Sequence, residues 1–343
     1  MLKAIREARK TITFETFAYV PGTVANDFTV ALCERAKSGV KVHLILDAIG
    51  SAKLNKNHLN PMRACGIEVH LYHPLSSLRF NRRTHRKILI TDGKLAFTGG
   101  AGFADSWKGN ARNAREWRDT MYQIKGPAVA QLQKTFNENW HRLTSTRLTG
   151  PAYFPSLKRQ GSLTAAFIPD SASDHRNPIA HSILHAINSA ERSLLLEQSY
   201  FVPNPAFRKA LLAATGRGVH ISLLLPGPLI DSKPTRHASQ NHWSRYLEAG
   251  IKMYQFEGSM LHGKLLVADE NLTIIGSGNL DDRSFFLNDE VNLHVLSKSF
   301  AREQTQMFFR DLKRSRRITT ENLNEVLAPL LKRILAEIIA PQL

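Results

Sequence analysis

The stretch HRKILITD at residues 85–92 returns as HGKLLVAD at residues 262–269, which is 177 positions further along the chain. Both copies place His, Lys and Asp at relative positions 1, 3 and 8. A small-residue turn follows each copy at the same offset, at residues 99–100 and at residues 276–277. This repetition indicates a duplicated fold whose halves each bring one imidazole and one ammonium group to a shared site.

The sequence around the two copies also repeats. In each half a helical pattern ends at a glycine and a nearly continuous apolar strand follows, with the helices at 27–38 and 205–217 and the strands at 40–47 and 219–226. Alternating helices and buried strands favour an α/β sheet covered on both faces. The turn-rich segment that starts at Pro151 predicts one domain at 1–155 and a second at 156–343.

The tail at 323–339 carries apolar residues at helical spacing, with Lys332, Arg333 and Glu337 on the opposite face. We expect one amphipathic helix that covers the core of its own domain. An interfacial membrane contact and a dimer contact are the alternatives.

Composition limits the class of protein. The 343 residues contain 43% hydrophobic side chains, as in a globular protein, and carry a net charge of +17. Such a charge favours anionic partners, namely nucleic acid, acidic phospholipid or phosphate-bearing substrates, without choosing among them. The basic loop at 74–84, before the first motif, is a candidate for substrate contact or for a solvated connection.

Two cysteines, Cys33 and Cys65, are the only ones in the chain, and no zinc-ligand spacing is present. We expect no disulfide framework, and a reducing compartment fits. The first 17 residues lack the apolar core of a secretory leader, and no run of 18 apolar residues occurs. Any membrane contact is therefore expected to be peripheral.

A histidine and a lysine two positions apart on a strand point to the same side, as expected for His85 with Lys87 and for His262 with Lys264. One such pair is usually a solvated surface, but its duplication favours a pocket. Two imidazoles and two ammonium groups suit phosphodiester transfer through a covalent intermediate. One neutral imidazole attacks phosphorus, the other protonates the leaving alkoxide, and the ammonium groups stabilise the added negative charge without a metal.

A nucleophilic imidazole needs an acceptor on its second ring nitrogen. Each half offers one carboxylate beside a later alternating strand, Asp119 in the first and Glu290 in the second. Both could also be ordinary surface carboxylates, but their repeated placement favours an orienting role.

These motifs resemble the phospholipase D superfamily, together with WRDT at 117–120, EQSYFVP at 197–203 and GSGNLDDRSF at 276–285. More narrowly, they resemble the bacterial cardiolipin synthase branch in its short form without transmembrane helices. The resemblance covers about residues 4–311. It implies two similar α/β/α sandwich lobes related by a pseudo-twofold axis, with one active site between them and neither metal nor cofactor.

The resemblance also implies roles for individual residues. The six motif residues form the expected catalytic set, with His85 as the nucleophile and His262 as the general acid: His85, Lys87, Asp92, His262, Lys264 and Asp269. Asp92 and Asp269 are expected to brace the motif turns rather than to touch substrate. Phosphate oxygens would be bound by Lys87, Lys264 and Asn279, with Ser277 nearby.

Within the same resemblance, Asp119 would orient His85 and Glu290 would orient His262. The family commonly has Asn at the position of Gly102, so this chain departs from the pattern there. The departure predicts an asymmetric phosphate pocket with one side-chain donor fewer.

The resemblance implies a phosphatidyltransferase that makes cardiolipin from two phosphatidylglycerols and releases glycerol. The expected partners are anionic phospholipids at the cytoplasmic face of the cell membrane, bound peripherally. A phospholipase D-type hydrolase of phospholipids and a family nuclease remain as alternatives, with nucleic acid the less favoured partner. A catalytically silent scaffold is disfavoured because both motifs are complete, and the oligomeric state stays open.

Overall fold

The computed structural model describes residues 1–74, 76–79, 81–172 and 176–342. Leu75 and Phe80 of the predicted basic loop lie outside the described residues. The chain forms two compact units, and each unit draws on both sequence halves. Unit 1 comprises Met1–Lys108, Thr120–Ser162 and Asn288–Val291, and unit 2 comprises Gly109–Asp119, Leu163–Leu287 and Asn292–Leu343. The chain passes from the main part of unit 1 to the main part of unit 2 after Ser162. The turn-rich segment had predicted this boundary at 155/156.

Unit 1 is built on a six-stranded sheet in the order β3-β2-β1-β5-β6-β7. Strands β1 to β3 are parallel, and β5, β6 and β7 continue the sheet antiparallel. The short β4 pairs with the first residues of β16. The elements are α1 Leu2–Glu7, β1 Thr11–Thr16, α2 Thr23–Lys37, β2 Lys41–Asp47, α3 Lys56–Ala64, β3 Ile67–Tyr72, β4 Arg83–Thr84, β5 Lys87–Thr91, β6 Leu95–Gly99, β7 Met121–Lys125 and α4 Ala128–Thr144.

Unit 2 repeats this strand order as β12-β11-β9-β13-β14-β16, with β17 added beside β12 and β8 beside β16. Its first elements are β8 Thr164–Asp170, α5 Pro178–Ser189, β9 Ser193–Gln198, β10 Phe201–Val202, α6 Pro205–Gly216, β11 His220–Pro226, α7 Lys233–Ser239, α8 Trp243–Glu248 and β12 Lys252–Phe256. The remaining elements are β13 Lys264–Ala268, β14 Leu272–Gly276, β15 Leu280–Asp281, α9 Asp282–Phe286, β16 Asn288–Leu296, α10 Lys298–Leu312, β17 Ser315–Ile318, α11 Leu323–Val326 and α12 Leu330–Ile339. The predicted α/β fold class, with two similar units, is confirmed.

The central strands are buried because their apolar runs leave no polar face. All residues of β2 after Lys41 are buried, and the core of unit 1 joins this strand to Phe14 of β1 and Leu32 of α2. The core of unit 2 is equivalent and joins Leu223 of β11 to Leu211 of α6. Each unit therefore has its own sheet and its own helix-covered core.

Glycines end the repeated helices as predicted. Gly39 and Gly218 follow α2 and α6 with φ of 90° and 88°, a conformation that glycine adopts without a steric cost. The start of α6 is fixed by Asn204, whose side chain accepts hydrogen bonds from the backbone N–H groups of Ala206 and Phe207.

Cys33 and Cys65 are joined in a disulfide, which the sequence interpretation did not anticipate. Cys33 lies in α2 and Cys65 follows α3, and both helices pack on the same core of unit 1. Their Cα atoms are 5.4 Å apart, within the range that a disulfide requires. The cysteine content therefore no longer supports a reducing compartment.

The predicted single helix at 323–339 is wrong, since the tail forms two helices, α11 and α12. Pro329 lies directly before α12. It has no backbone N–H to donate to the preceding turn, so a helix that reaches it from the N-terminal side ends there. The expected core-covering role is confirmed for α11, since Leu323 is buried in the core of unit 2 and Val326 packs against it. It is wrong for α12, whose apolar face is exposed. Within the described residues, no helix is both long and apolar enough to cross a bilayer.

Candidate catalytic groups of the two units

We had predicted that His85 lies inside a strand. In the structure it lies in the short link between β4 and β5 of unit 1. Its backbone N–H donates to the carbonyl of Asp289 at 2.9 Å, at the point where β4 pairs with β16. The side chains of His85 and Lys87 are both buried. The strand pairing therefore fixes the backbone of the motif histidine.

The imidazole of His85 is held by a buried carboxylate. Its Nδ1 lies 2.8 Å from Oε1 of Glu290, whose side chain is fully buried. Asn288 donates to the same carboxylate oxygen at 3.2 Å. Since Nδ1 is engaged by the carboxylate, Nε2 is the nitrogen through which His85 would act on a substrate.

An aromatic side chain also lies beside this motif. The ring of Phe17 meets the His85 ring edge-to-face at 5.1 Å, and Nζ of Lys87 is 5.7 Å from the Phe17 centroid. Lys87 also donates to the carbonyl of His85 at 2.7 Å. These contacts keep the ammonium group next to the imidazole.

Arg86, between the two motif residues, is completely buried and supports the backbone of Glu290. Its Nε donates to the carbonyl of Glu290 at 3.2 Å, and its guanidinium also binds Thr135 and Glu138. Burial alone would lower the Arg86 pKa, but nearby carboxylates, with Asp289 the strongest, outweigh it and raise the pKa. The sequence interpretation missed this residue because a charged side chain inside a strand pattern is usually exposed.

His262 of unit 2 has an equivalent setting. Its backbone N–H donates to the carbonyl of Arg118 at 2.7 Å, and its Nδ1 lies 2.6 Å from Oδ2 of Asp119. Arg118 is itself fixed by a buried ion pair to Asp311 at 2.8 Å. Burial, reinforced by the charge of Lys264, lowers the pKa of His262, although Asp119 acts in the opposite direction.

The predicted assignment of the two carboxylates is therefore wrong. We expected Asp119 to orient His85 and Glu290 to orient His262, but the structure pairs His85 with Glu290 and His262 with Asp119. The physical reason is that unit 1 contains Asn288–Val291 and unit 2 contains Gly109–Asp119. Each histidine thus takes its carboxylate from the other half of the sequence.

Lys264 belongs to a polar network in unit 2. Its Nζ donates to Oγ of Ser199 at 2.7 Å and to the carbonyl of His262 at 2.6 Å. Ser199 in turn donates to Oδ1 of Asn279 at 2.7 Å. Ser277 and Asn279 are both buried within the same unit. The network connects the lysine to Asn279, one of the residues expected to bind phosphate.

Ser199 lies within the EQSYFVP stretch at 197–203, and no role was predicted for it. Aligning the strands of the two repeats places Ser199 opposite Phe17, because Gln198 pairs with Lys264 as Thr16 pairs with Lys87. This alignment could have identified Ser199 from the sequence, since it shows a polar residue where the other half has an aromatic one.

Gly102 is the repeat partner of Asn279, and its surroundings explain why no side chain is present. A Cβ at this position would lie 3.0 Å from both the Ala18 Cβ and the Trp107 ring. An asparagine would therefore have to displace the indole. The sequence predicted that unit 1 lacks this side-chain donor. In the structure, Ala18 and Trp107 pack against the position that the donor would occupy.

Asp92 and Asp269 brace the backbone, as we inferred. Asp92 accepts hydrogen bonds from the backbone N–H groups of residues 9–11, and Asp269 accepts from those of residues 191–193. Each lies five residues beyond its motif lysine, at the far end of a strand that rises about 3.3 Å per residue. These contacts show that both aspartates brace the backbone of their own unit.

Glu197 of β9 is a further buried acid of unit 2. Among the described residues, none gives its Oε2 a hydrogen bond, and burial raises the pKa of Glu197 to about 8, partly offset by Arg118. Its repeat partner in unit 1 is Glu15, whose pKa burial raises to about 7. Glu15 differs in accepting hydrogen bonds from Thr84 and Asn139.

Comparisons with known proteins agree with these motifs. A family model described as cardiolipin synthase, PLD-like domain, matches residues 1–140 and 183–312. A cardiolipin synthase of Clostridium perfringens strain SM101 is 32% identical over 335 residues, covering 95% of this chain and 70% of that protein. Cardiolipin synthase A of Pseudomonas putida is 31% identical over 323 residues, covering 93% of this chain and 66% of that protein.

The fold is also found in a solved structure. The phosphatidylserine synthase of Haemophilus influenzae Rd KW20 superposes with a TM-score of 0.76 over 100% of this chain and 92% of that chain. Sequence identity to it is 11%, so this likeness concerns the fold alone. The family match and the identity to both synthases carry the assignment that the motifs predicted: the chain belongs to the cardiolipin synthase family of phospholipase D-like proteins.

Proposed function

We propose a specific reaction for this phosphatidyltransferase, in which the phosphatidyl group of one phosphatidylglycerol is transferred to a hydroxyl of a second. The products are cardiolipin and glycerol. The observation that carries the proposal is the repeated set of a histidine with a buried carboxylate at Nδ1 and a lysine two residues later. Relatives of the same family that are named cardiolipin synthases support the choice of substrate.

The proposed reaction has two steps. His85 attacks phosphorus through Nε2 and the bond to the glycerol oxygen breaks, while His262 gives that oxygen a proton. His262 then removes the proton from a hydroxyl of the second lipid, whose oxygen displaces His85 from phosphorus. Lys87 and Lys264 stabilise the extra negative charge of each transition state. The proposal requires both motif sets to serve one phosphodiester.

One observation favours the reversed assignment of the two histidines as a second candidate. Burial and Lys264 lower the pKa of His262, which favours the neutral form of its imidazole. A neutral imidazole is the state that a nucleophile needs. In the first assignment, the negative charge of the bound phosphodiester has to raise the His262 pKa before it can act as an acid.

The proposed partners are anionic phospholipids, with phosphatidylglycerol as the substrate, met peripherally at the cytoplasmic face of the membrane. The net charge of +17 supports an anionic lipid surface. Hydrolysis of phospholipid and cleavage of nucleic acid are the competing outcomes, since water and alcohols compete for the same covalent intermediate.

Product analysis with labelled phosphatidylglycerol in mixed micelles, with and without EDTA, tests the proposal. Cardiolipin and glycerol, formed equally under both conditions, are expected. Phosphatidic acid would instead identify a hydrolase, and inert lipid alongside degraded DNA would identify a nuclease. His85→Gln and His262→Gln should each abolish turnover, whereas His220→Gln, at an exposed strand end, is the matched control.

Trapping of the covalent intermediate decides which histidine attacks. An alkaline quench during turnover of lipid labelled in the phosphatidyl phosphate preserves phosphohistidine, and peptide mapping locates the label. Label at His85 supports the first assignment, and label at His262 supports the second. Turnover without labelled histidine at either position would contradict the covalent mechanism.

A further inference from the structure

The helix α12 is oriented with its apolar side outward. Six apolar residues are between 45% and 71% exposed: Leu330, Leu331, Ile334, Leu335, Ile338 and Ile339. At about 100° per residue they cover roughly half of the helix circumference. The opposite side carries the buried Ala336 and the half-buried Arg333 and Glu337. This arrangement is the inverse of a helix that covers its own core.

Polar contacts fix this orientation within unit 2. Nδ2 of Asn241 donates to the carbonyl of Arg333 at 3.0 Å and to Oε2 of Glu337 at 2.8 Å. The preceding link is held by Gln240, which donates to the carbonyl of Val326 and accepts from the N–H of Ala328. The apolar face is thus presented to solvent by specific hydrogen bonds on the other side of the helix.

Cationic side chains border the exposed face. Lys332 lies between Leu331 and Ile334 in sequence and is exposed, as is Lys233 of α7. Lys332, Lys233 and Arg236 all act electrostatically on His237, so they form one basic cluster beside the helix. At the other end, Arg283 of α9 donates to the carbonyl of Gln342 at 2.8 Å.

We propose that the exposed face of α12, together with this basic cluster, is a surface that docks on an anionic phospholipid bilayer. The apolar side chains would enter the interface between headgroups and acyl chains, while Lys332 and Lys233 meet the lipid phosphates. The inference rests on the proposed lipid substrate for the class of partner, but its evidence is independent of the motif residues.

Charge favours a bilayer over a second copy of the chain. A twofold contact between copies brings the same surface patch against itself. Lysines near the twofold axis would then lie close to those of the other copy, and like charges across an interface oppose binding. An anionic bilayer instead neutralises the same cluster while it buries the apolar face.

Vesicle flotation of the full chain tests the surface. The double variant Leu331→Glu with Ile338→Glu is compared with Leu296→Glu with Phe309→Glu, which changes the net charge equally at exposed apolar positions elsewhere in unit 2. On vesicles of phosphatidylcholine and phosphatidylglycerol, the α12 variant should lose at least ~50-fold in affinity. The control should remain within about threefold of the wild-type chain, because it leaves α12 intact.

Three results would overturn the inference: wild-type affinity in the α12 variant, an equal loss in the control, or equal wild-type binding to pure phosphatidylcholine vesicles. A wild-type dimer that the α12 variant dissociates, with vesicle binding unchanged, would assign the face to a second copy. Thermal unfolding checks the fold, and Leu331→Ser with Ile338→Ser replaces a variant that fails to fold. Activity in mixed micelles separates the two proposals, because an inert wild-type enzyme that still binds vesicles contradicts only the proposed reaction.

Discussion

The two units keep the same histidine and carboxylate pair but surround the motif lysine differently. In unit 2, Lys264 donates to Ser199, which continues the polar network to Asn279. In unit 1, Lys87 lies beside the ring of Phe17. The imidazole with its buried carboxylate is therefore the part that both units retain, and the shell around the ammonium group is the part that differs.

This difference is consistent with unequal roles for the two motifs. A serine and an asparagine beside one lysine offer hydrogen-bonding groups that a phosphate could use, whereas an aromatic ring offers an apolar wall. The proposed mechanism also gives the histidines different tasks. Variants that remove a histidine's carboxylate should therefore lower kcat more than variants that change the surroundings of one lysine.

Among the variants that compare the two units, the largest effect is expected from the carboxylates. Glu290→Gln and Asp119→Asn should each lower kcat by about 10²- to 10⁴-fold, because the carboxylate charge is lost and the amide N–H can donate to Nδ1 and stabilise the wrong tautomer. Histidine ¹⁵N NMR shows which ring is affected. Glu290→Gln should shift the His85 resonances and leave those of His262, and Asp119→Asn should do the reverse.

A matched control for both variants is Glu303→Gln, at an exposed position of α10. It should change neither kcat nor the histidine spectra. The opposite NMR pattern, in which Asp119→Asn shifts His85, would restore the pairing first expected from the sequence and contradict the structure.

Much of the fold follows from local sequence. The helix ends at Gly39 and Gly218 and the apolar strands behind them were predicted within a few residues, because these signals depend on neighbours along the chain. The motif residues were found for the same reason, since the histidine and lysine of each motif lie two positions apart in the sequence. The repetition then identified the equivalent elements of the two halves.

Features that depend on distant parts of the chain were not predicted. Asp119 and Glu290 hold equivalent places in the repeat, so the sequence gives no sign that each lies beside the histidine of the other half. The disulfide of Cys33 depends on helix packing in the same way. Pro329 is a sequence signal for a helix break, so this break could have been predicted. It was missed because the helical spacing of apolar residues continues on both sides of the proline.

A smaller effect is expected from the shell that only unit 2 has. Ser199→Ala removes the hydroxyl that Lys264 donates to, and hydrogen bonds to charged groups contribute about 1.5–3 kcal/mol, so kcat should fall about 10- to 100-fold. Ser199→Thr keeps the hydroxyl and should recover most of the activity. In unit 1, Phe17→Leu keeps the apolar wall and should change kcat by less than about threefold.

Steady-state kinetics with labelled lipid in mixed micelles measures these three variants. Equal losses in Ser199→Ala and Ser199→Thr would show that packing, and not the hydroxyl, matters at this position. A loss in Phe17→Leu as large as that in Ser199→Ala would remove the proposed distinction between the two motif shells.

The buried acids provide the last comparison, since Glu15 and Glu197 occupy equivalent places in β1 and β9. Burial raises both pKa values from 4.5, to about 7 for Glu15 and to about 8 for Glu197. The folded chain therefore keeps both side chains neutral at a pH where the unfolded chain ionises them. Their contribution to stability is complete below pH 4.5 and is lost as the pH rises through the folded value.

Glutamine imitates the neutral acid, so Glu197→Gln should gain stability relative to the wild-type chain as the pH rises from 5 to 8.5. The unfolding midpoint of the variant minus that of the wild-type chain should rise by a few degrees between pH 5 and 8.5, which makes this the smallest effect. Any constant cost of the amide cancels, because only the change of this difference with pH is compared. Glu15→Gln should reach its plateau about one pH unit earlier, as its raised pKa is lower. Glu303→Gln is the matched control, and a flat or falling difference for Glu197→Gln would mean that this acid is already ionised in the folded protein.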